Sequence, residues 1–222
     1  HINLGGAISV PTIRLADASR NAHESVDWIA LMDRYRKAVR PHHVVLEVGA
    51  SSAERTLAIA QCCDRVIGVE IQPQRIPTAT RNISYVEGDW QRLIESVPKC
   101  SIDMVLSSHT IEHVQDDHLA LEQTYEVLKP GGKVLITTPN RRRVVRAIIE
   151  LVTRSRRFPW WEHVREYDWD DIHRLVELSS FGKHKIDPVA FGVHGGPLYA
   201  YISHVPRVFR AYAAFWLVEL SR

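Results

Sequence analysis

Apolar and polar positions follow two rhythms along this chain. Short apolar runs at 43–48, 65–70, 83–86, 102–107 and 133–138 predict five strands. Helical spacing appears between them, at 53–62, in a proline-bounded stretch near 73–80, and at 116–128, where Leu119, Leu121, Tyr125 and Leu128 recur. A further amphipathic stretch precedes the strands at 24–40, with Val26, Ile29, Leu31, Met32 and Tyr35 set among charges and Pro41 as its stop. Strands alternating with helices at this spacing predict βαβ units, hence a doubly wound, mostly parallel α/β sheet covered on both faces. No internal repeat or low-complexity tract interrupts the pattern.

In such a sheet ligands sit beyond the carboxyl ends of the strands, so the residues after each apolar run are the candidates for chemistry. Glu47, Gly49, Ala50 and Ser51 follow the first run. The glycine allows backbone to approach a ligand, and the helix beyond offers N–H groups to an anion. Glu70 closes the second run, about 20 residues on, where an acid can accept from both hydroxyls of a ribose. After the third run, Asp89 can accept from an adenine amino group and Trp90 can cover the ring. Ser107, His109 and their neighbours follow the fourth. Together these loops describe a nucleoside site. A G-x-G-x-x-G motif is absent, which weakens a nucleotide dehydrogenase, and no G-x-x-x-x-G-K is present for a P-loop.

Composition narrows the class. At 222 residues, 45% hydrophobic and 24% charged, the chain fits one globular core. The expected division is an N-terminal helical cap over 1–40 and a single domain over 41–222, with a substrate-side insert at about 141–165. Three cysteines, Cys62, Cys63 and Cys100, have no C-x-x-C spacing, which suggests thiols in a reducing, cytoplasmic setting. No apolar stretch reaches bilayer length, and the opening residues lack the pattern of a signal peptide.

Several segments occur in an order that resembles a family. They are Val45-Leu46-Glu47-Val48-Gly49, Val69-Glu70, Glu87-Gly88-Asp89, Ile102-Asp103-Met104-Val105, His109-Thr110-Ile111-Glu112-His113-Val114 and Leu128-Lys129-Pro130-Gly131-Gly132-Lys133. This is similar to the class I S-adenosylmethionine-dependent methyltransferases, of the broad type that includes ubiquinone and menaquinone methyltransferases. The resemblance covers residues 40–140 most closely. It implies a Rossmann-like, seven-stranded sheet whose last strand, at 215–220, is antiparallel. It also implies S-adenosyl-L-methionine as cofactor, with Glu47, Gly49, Ala50 and Ser51 at its amino-acid end, Glu70 on the ribose and Ile71 beside the adenine. Asp89 and Trp90 would fix the adenine, and Ser107 and His109 would line the methionine portion. The first loop departs from the family pattern, because only Gly49 remains of its glycines. Residues 162–167 resemble a His-Val-Arg segment beside the substrate pocket, ahead of a helix at 168–178.

Residues 141–157 hold seven arginines against one acid, Glu150. Val144, Val145, Ile148, Ile149 and Val152 form the apolar face of a predicted helix, with Arg142, Arg143 and Arg146 opposite. Phe158, Trp160 and Trp161 follow. Such a segment fits a packed helix with a solvated arginine face, an acidic or lipid-linked substrate, or peripheral membrane contact through 141–161. Nucleic acid fits less well. If the acceptor must lose a proton, His109 and His163 are the expected bases, with His113 behind the loop in a structural role. No metal-ligand spacing stands out. The expected function is methyl transfer to O or N of a small-molecule, sugar or lipid-linked acceptor. A regulatory module on the same fold and an RNA methyltransferase are the alternatives.

Overall fold

Strands form where the aliphatic runs lie: β1 (Val44–Val48), β2 (Arg65–Glu70), β3 (Ile83–Glu87), β4 (Ile102–Ser108) and β5 (Leu128–Pro139). Downstream come β6 (Lys183–Val189), β7 (Phe191–Gly195), β8 (Leu198–Ile202) and β9 (Phe215–Ser221). The computed structural model describes residues 32–154, 162–195, 198–202 and 205–222. Seven strands make one sheet in the order β3-β2-β1-β4-β5-β9-β6, and β7 and β8 form a separate hairpin. β1 to β5 pair in parallel, whereas β9 runs antiparallel between β5 and β6. The strand order reverses between β1 and β4, and that switch point leaves a crevice above the carboxyl edge. The expected doubly wound sheet and its antiparallel last strand are both present.

Period-two alternation sends successive side chains to opposite faces. Leu46, Val48, Ile102 and Val105 face one core; Val45, Val66, Met104 and Leu106 face the other. The helices are α1 (residues 32–38), α2 (Ala53–Ala60), α3 (Asp117–Val127), α4 (Val144–Thr153) and α5 (Trp169–Glu177). Met32 and Tyr35 of α1 and Ile59 of α2 pack in the second core, Leu121 of α3 and Ile172 of α5 in the first. The C-terminal half of the predicted N-terminal helix is thus part of the sheet's covering layer; residues 1–31 lie outside the described residues.

Local sequence explains the helix limits. Asp116 caps α3 by accepting from Leu119 N, and Asp168 closes a capping box with Asp171 at the start of α5. The helix expected at 73–80 is a single 3-10 turn, Pro73–Arg75. Pro77 accounts for this, since it drives Ile76 into extended backbone (ψ 118°). α3 stops at Val127, and Gly131 takes φ +81° in the turn that delivers the chain into the paired part of β5.

Asp103 fastens the opposite, amino edge. Its carboxylate accepts from Val44 N at 2.8 Å and from Lys129 Nζ at 2.8 and 2.9 Å. Partial burial raises its pKa, but Lys129 and the Val44 N–H outweigh burial and hold it below the ordinary carboxylate range. A depressed folded-state pKa adds stability above the unfolded value and loses it as pH falls through the folded one. Asp103→Ala should therefore cost about 1–2 kcal/mol at neutral pH. The gap from wild type should narrow in acid, and urea melts across pH measure both.

Candidate functional site

The first strand-end loop is built around Gly49. Its φ is +76°, and a Cβ there would lie 2.2 Å from Thr110 Oγ1, so the loop after β1 and the loop after β4 close on each other only with glycine. The N–H groups of Gly49 and Ala50 both point at Val69 O on β2. Ala50 is fully buried, with its methyl packed towards Gly68. These two residues shape the loop and do not offer a ligand their N–H groups, which corrects the expectation for them. Ser51 is exposed at the mouth, and Ser52 starts α2 without a side-chain cap.

Glu47 also differs from expectation. It is 1% exposed, and its two carboxylate oxygens are taken by Arg55 Nε and, at 2.6 Å, by Thr56 Oγ1. Arg55 also donates to Gly49 O at 2.9 Å. A buried carboxylate must be paired, and here the partner comes from the first turn of α2. Any ammonium group entering this loop therefore meets an ion pair in place of an open acid.

Glu70 ends β2 and is buried, at 6% exposure. Oε1 accepts from Gln72 N at 3.0 Å, and Ile71 beside it is 59% exposed. Asp89 follows β3 and is only partly buried, with Oδ1 accepting from Gln91 N at 2.9 Å. Glu70 thus ends β2, Ile71 follows it, and Asp89 follows the adjacent strand β3. Trp90 does not join them. It is 3% exposed, packs in the first core and donates from Nε1 to Thr124 Oγ1 of α3 at 2.7 Å. Its ring is a tie between the loop and α3, so it cannot cover an adenine.

Ser107 is buried, and its Oγ has no hydrogen-bond partner among the described residues. Its carbonyl accepts from Tyr35 of α1 at 3.2 Å, and burial pushes the Tyr35 phenol far above its usual range. Together with Glu70, this orphaned hydroxyl is a group that the cofactor expected here can satisfy. Ser51, Glu70, Ile71, Asp89 and Ser107 fit it; Glu47 and Trp90 do not, and Gly49 and Ala50 act only through shape.

Beyond Ser107, two His-x-x-Glu segments meet. His109 has φ +52° and lies edge-on to Phe215, with ring centroids 4.9 Å apart. Its Nδ1 is 3.4 Å from Glu112 Oε1. Glu112 is fully buried, and its Oε2 accepts from Thr138 Oγ1 at 3.1 Å. Burial raises the Glu112 pKa, but the His109 and His113 rings more than offset that and leave it lowered. In the second segment, His163 Nδ1 lies 2.9 Å from Glu166 Oε1, and buried Glu166 takes a bidentate pair from buried Arg143 at 2.7 and 2.9 Å. Val164 N donates to Glu112 O at 2.9 Å, which fastens one segment to the other. His113, expected behind the loop, is exposed and stands edge-on to His163 at 4.8 Å.

The arginine segment is turned over relative to expectation. Arg143 and Arg146 of the α4 region are 3% and 1% exposed, whereas Ile148, Leu151 and Val152 face outward. Two carboxylates explain it: Glu166 holds Arg143, and Glu150 holds Arg146 Nε at 2.8 Å. Arg154 ends α4 in left-handed backbone; Arg156, Arg157, Phe158, Trp160 and Trp161 lie outside the described residues.

Comparison with known proteins fits this geometry. Residues 46–136 match the family model described as a methyltransferase domain. A probable S-adenosylmethionine-dependent methyltransferase of Mycolicibacterium smegmatis is 32% identical over 98 residues, 44% of this chain and 38% of that protein. The mitochondrial ubiquinone biosynthesis O-methyltransferase of mouse is 26% identical over 107 residues, 44% of this chain and 29% of that protein. The chain thus spans well under half the length of these curated relatives. Among solved structures, a SAM-dependent methyltransferase from Archaeoglobus fulgidus aligns with TM-score 0.64 and 17% identity over 90% of this chain and 97% of its own. That likeness is one of fold.

The placement of Trp90 gives a direct test. Trp90→Ala should lower stability by about 3–5 kcal/mol, and Trp90→Phe by about 1 kcal/mol through the lost Thr124 bond. Trp90→Phe should leave affinity for an adenosyl ligand unchanged, as denaturant melts paired with ligand titration will reveal.

Proposed function

We propose that this chain, whose residues 46–136 match a methyltransferase domain, is a class I S-adenosylmethionine-dependent enzyme that transfers a methyl group to O or N of a small-molecule, sugar or lipid-linked acceptor. The observation that carries the reading is Glu70. Its carboxylate stands at the carboxyl tip of β2, beside the switch point, with Ile71 exposed next to it and Asp89 after the adjacent strand. The relatives named for ubiquinone biosynthesis O-methyltransferase support an oxygen acceptor.

S-Adenosyl-L-methionine brings an electrophilic methyl group on a sulfonium, so the protein's part is positioning, water exclusion and proton handling. Glu70 accepts from the ribose hydroxyls, and Asp89 from the adenine amino group. Ser107 faces the methionine portion. An acceptor hydroxyl sheds its proton most readily to His109, which follows β4 and is partly exposed. The apolar outer surface of α4, with Leu151 79% exposed, suits an acceptor with a lipid-like portion or a membrane-associated one.

A second reading has its own support. With Glu47 paired to Arg55 and the Gly49 and Ala50 N–H groups held by Val69, the amino-acid end of the cofactor finds fewer partners here, as in a module that keeps the fold without efficient catalysis. Calorimetry with S-adenosylhomocysteine separates the two. The enzyme reading expects micromolar binding, weakened about 10–100-fold in Glu70→Ala through loss of charged hydrogen bonds. No binding by wild type favours the module, and unchanged affinity in Glu70→Ala removes the proposed site.

A further inference from the structure

We propose that the cleft at the amino edge of the sheet binds a small molecule carrying a di- or triphosphate group. The cleft has a volume of about 600 Å3 and lies between α1, the turn into the paired part of β5, and β9, a size typical of small-molecule sites. Asp103, which fastens the amino edge, is one of its walls. Glu70 and Ser107 stand at the opposite, carboxyl edge, so the cleft is separate from the adenosyl site. The inference therefore does not rest on the methyl-transfer reading.

Charge selects the class of ligand. Five lysine and arginine side chains and two carboxylates line the cleft, an excess of +3 with the histidines neutral. Both carboxylates are already answered: Lys129 holds Asp103 at 2.8 and 2.9 Å, and Lys133 Nζ lies 3.1 Å from Glu219 Oε1. The surplus is Arg34, Lys37 and Arg40. Arg34 shares Asp187, at 3.3 Å, with Lys185, which is closer at 2.6 Å. Lys37 pairs with Asp33 in an exposed i,i+4 contact, a weak kind of pair that a more highly charged anion displaces. Arg40 has no carboxylate partner among the described residues; its Nη1 donates to Lys37 O at 3.0 Å, which covers a carbonyl at the end of α1 and holds the guanidinium at the cleft.

The donors suit phosphate in particular. A guanidinium presents paired N–H groups that match two phosphate oxygens, and Arg34 and Arg40 supply two such forks. His43 adds a further donor: its Nδ1 accepts from Arg40 N at 3.2 Å, so the ring proton is on Nε2, and burial lowers its pKa and keeps the ring neutral. The cations arrive from two elements, α1 with the loop after it and β5. Charges delivered in this way match an anion whose own charge is spread over linked phosphates, and such a ligand would tie α1 to β5. Ala38, Leu135 and Leu217 give the same cleft an apolar wall for the rest of the molecule. A concave site of this volume fits a small molecule better than the long, open track that a nucleic-acid strand needs.

The test titrates the whole chain calorimetrically with sodium tripolyphosphate, inorganic phosphate and, separately, an RNA oligonucleotide. We expect one equivalent of tripolyphosphate to bind in the micromolar range, more tightly than inorganic phosphate, and to raise the melting temperature. Lys37→Ala and Arg40→Ala, both at exposed positions, should each weaken it about 10-fold through a lost charged hydrogen bond. Lys37→Glu/Arg40→Glu should abolish both the binding and the thermal shift, with circular dichroism as the check on folding. Affinity for S-adenosylhomocysteine should be the same in wild type and variants, so that failure of the cleft and failure of the adenosyl site are read separately. Absence of saturable tripolyphosphate binding, binding retained in the double variant, or tighter binding of RNA than of tripolyphosphate would overturn the proposal.

Discussion

Four glutamates, Glu47, Glu70, Glu112 and Glu166, are buried along the carboxyl edge of the sheet, and that constraint organises the surrounding chain. A charge taken out of water must be paired and hydrogen-bonded or it unfolds the site. Glu47 recruits Arg55 and Thr56 from α2, Glu166 recruits Arg143 and His163, and Glu112 lies among Thr138, His109 and His113. The same pairings fasten α2, the β4 loop, the start of α4 and the stretch before α5 to one edge.

Much of this was legible beforehand. Short apolar runs located β1 to β5 within a residue or two, apart from the start of β5, because aliphatic strands buried on both faces leave an unbroken signal. Glu70 and Asp89 could be located at the tips of β2 and β3, because an acid that closes or follows an apolar run stands at a strand end. Pro130 and the two glycines after it marked the change from α3 to β5, although β5 already begins at Leu128. β6 and the β7–β8 hairpin were missed, since β6 (Lys183–Val189) carries four charged or imidazole side chains in its first five residues and reads as loop.

The rest depended on pairing across distance, which a one-dimensional pattern does not contain. Arg143 and Arg146 sit on the polar stripe of an amphipathic helix, yet they are buried because carboxylates meet them, and the apolar stripe is left outside. Trp90 looked like a ring at a pocket mouth, but an unsatisfied indole N–H found Thr124 in the core. His113 seemed set aside from the site until residues 162–166 folded back over it. One signal was available: the His-x-x-Glu spacing occurs at both 109–112 and 163–166, and it marked the two segments that converge.

The central claim is that the carboxyl edge around Glu70 holds an adenosyl ligand. The most direct measurement is a crystal structure of the chain soaked with S-adenosylhomocysteine. The account predicts both ribose hydroxyls on the Glu70 carboxylate, the adenine between Ile71 and Asp89, and the sulfur towards Ser107 and His109. A ligand bound elsewhere, or density with the ribose away from Glu70, would contradict it.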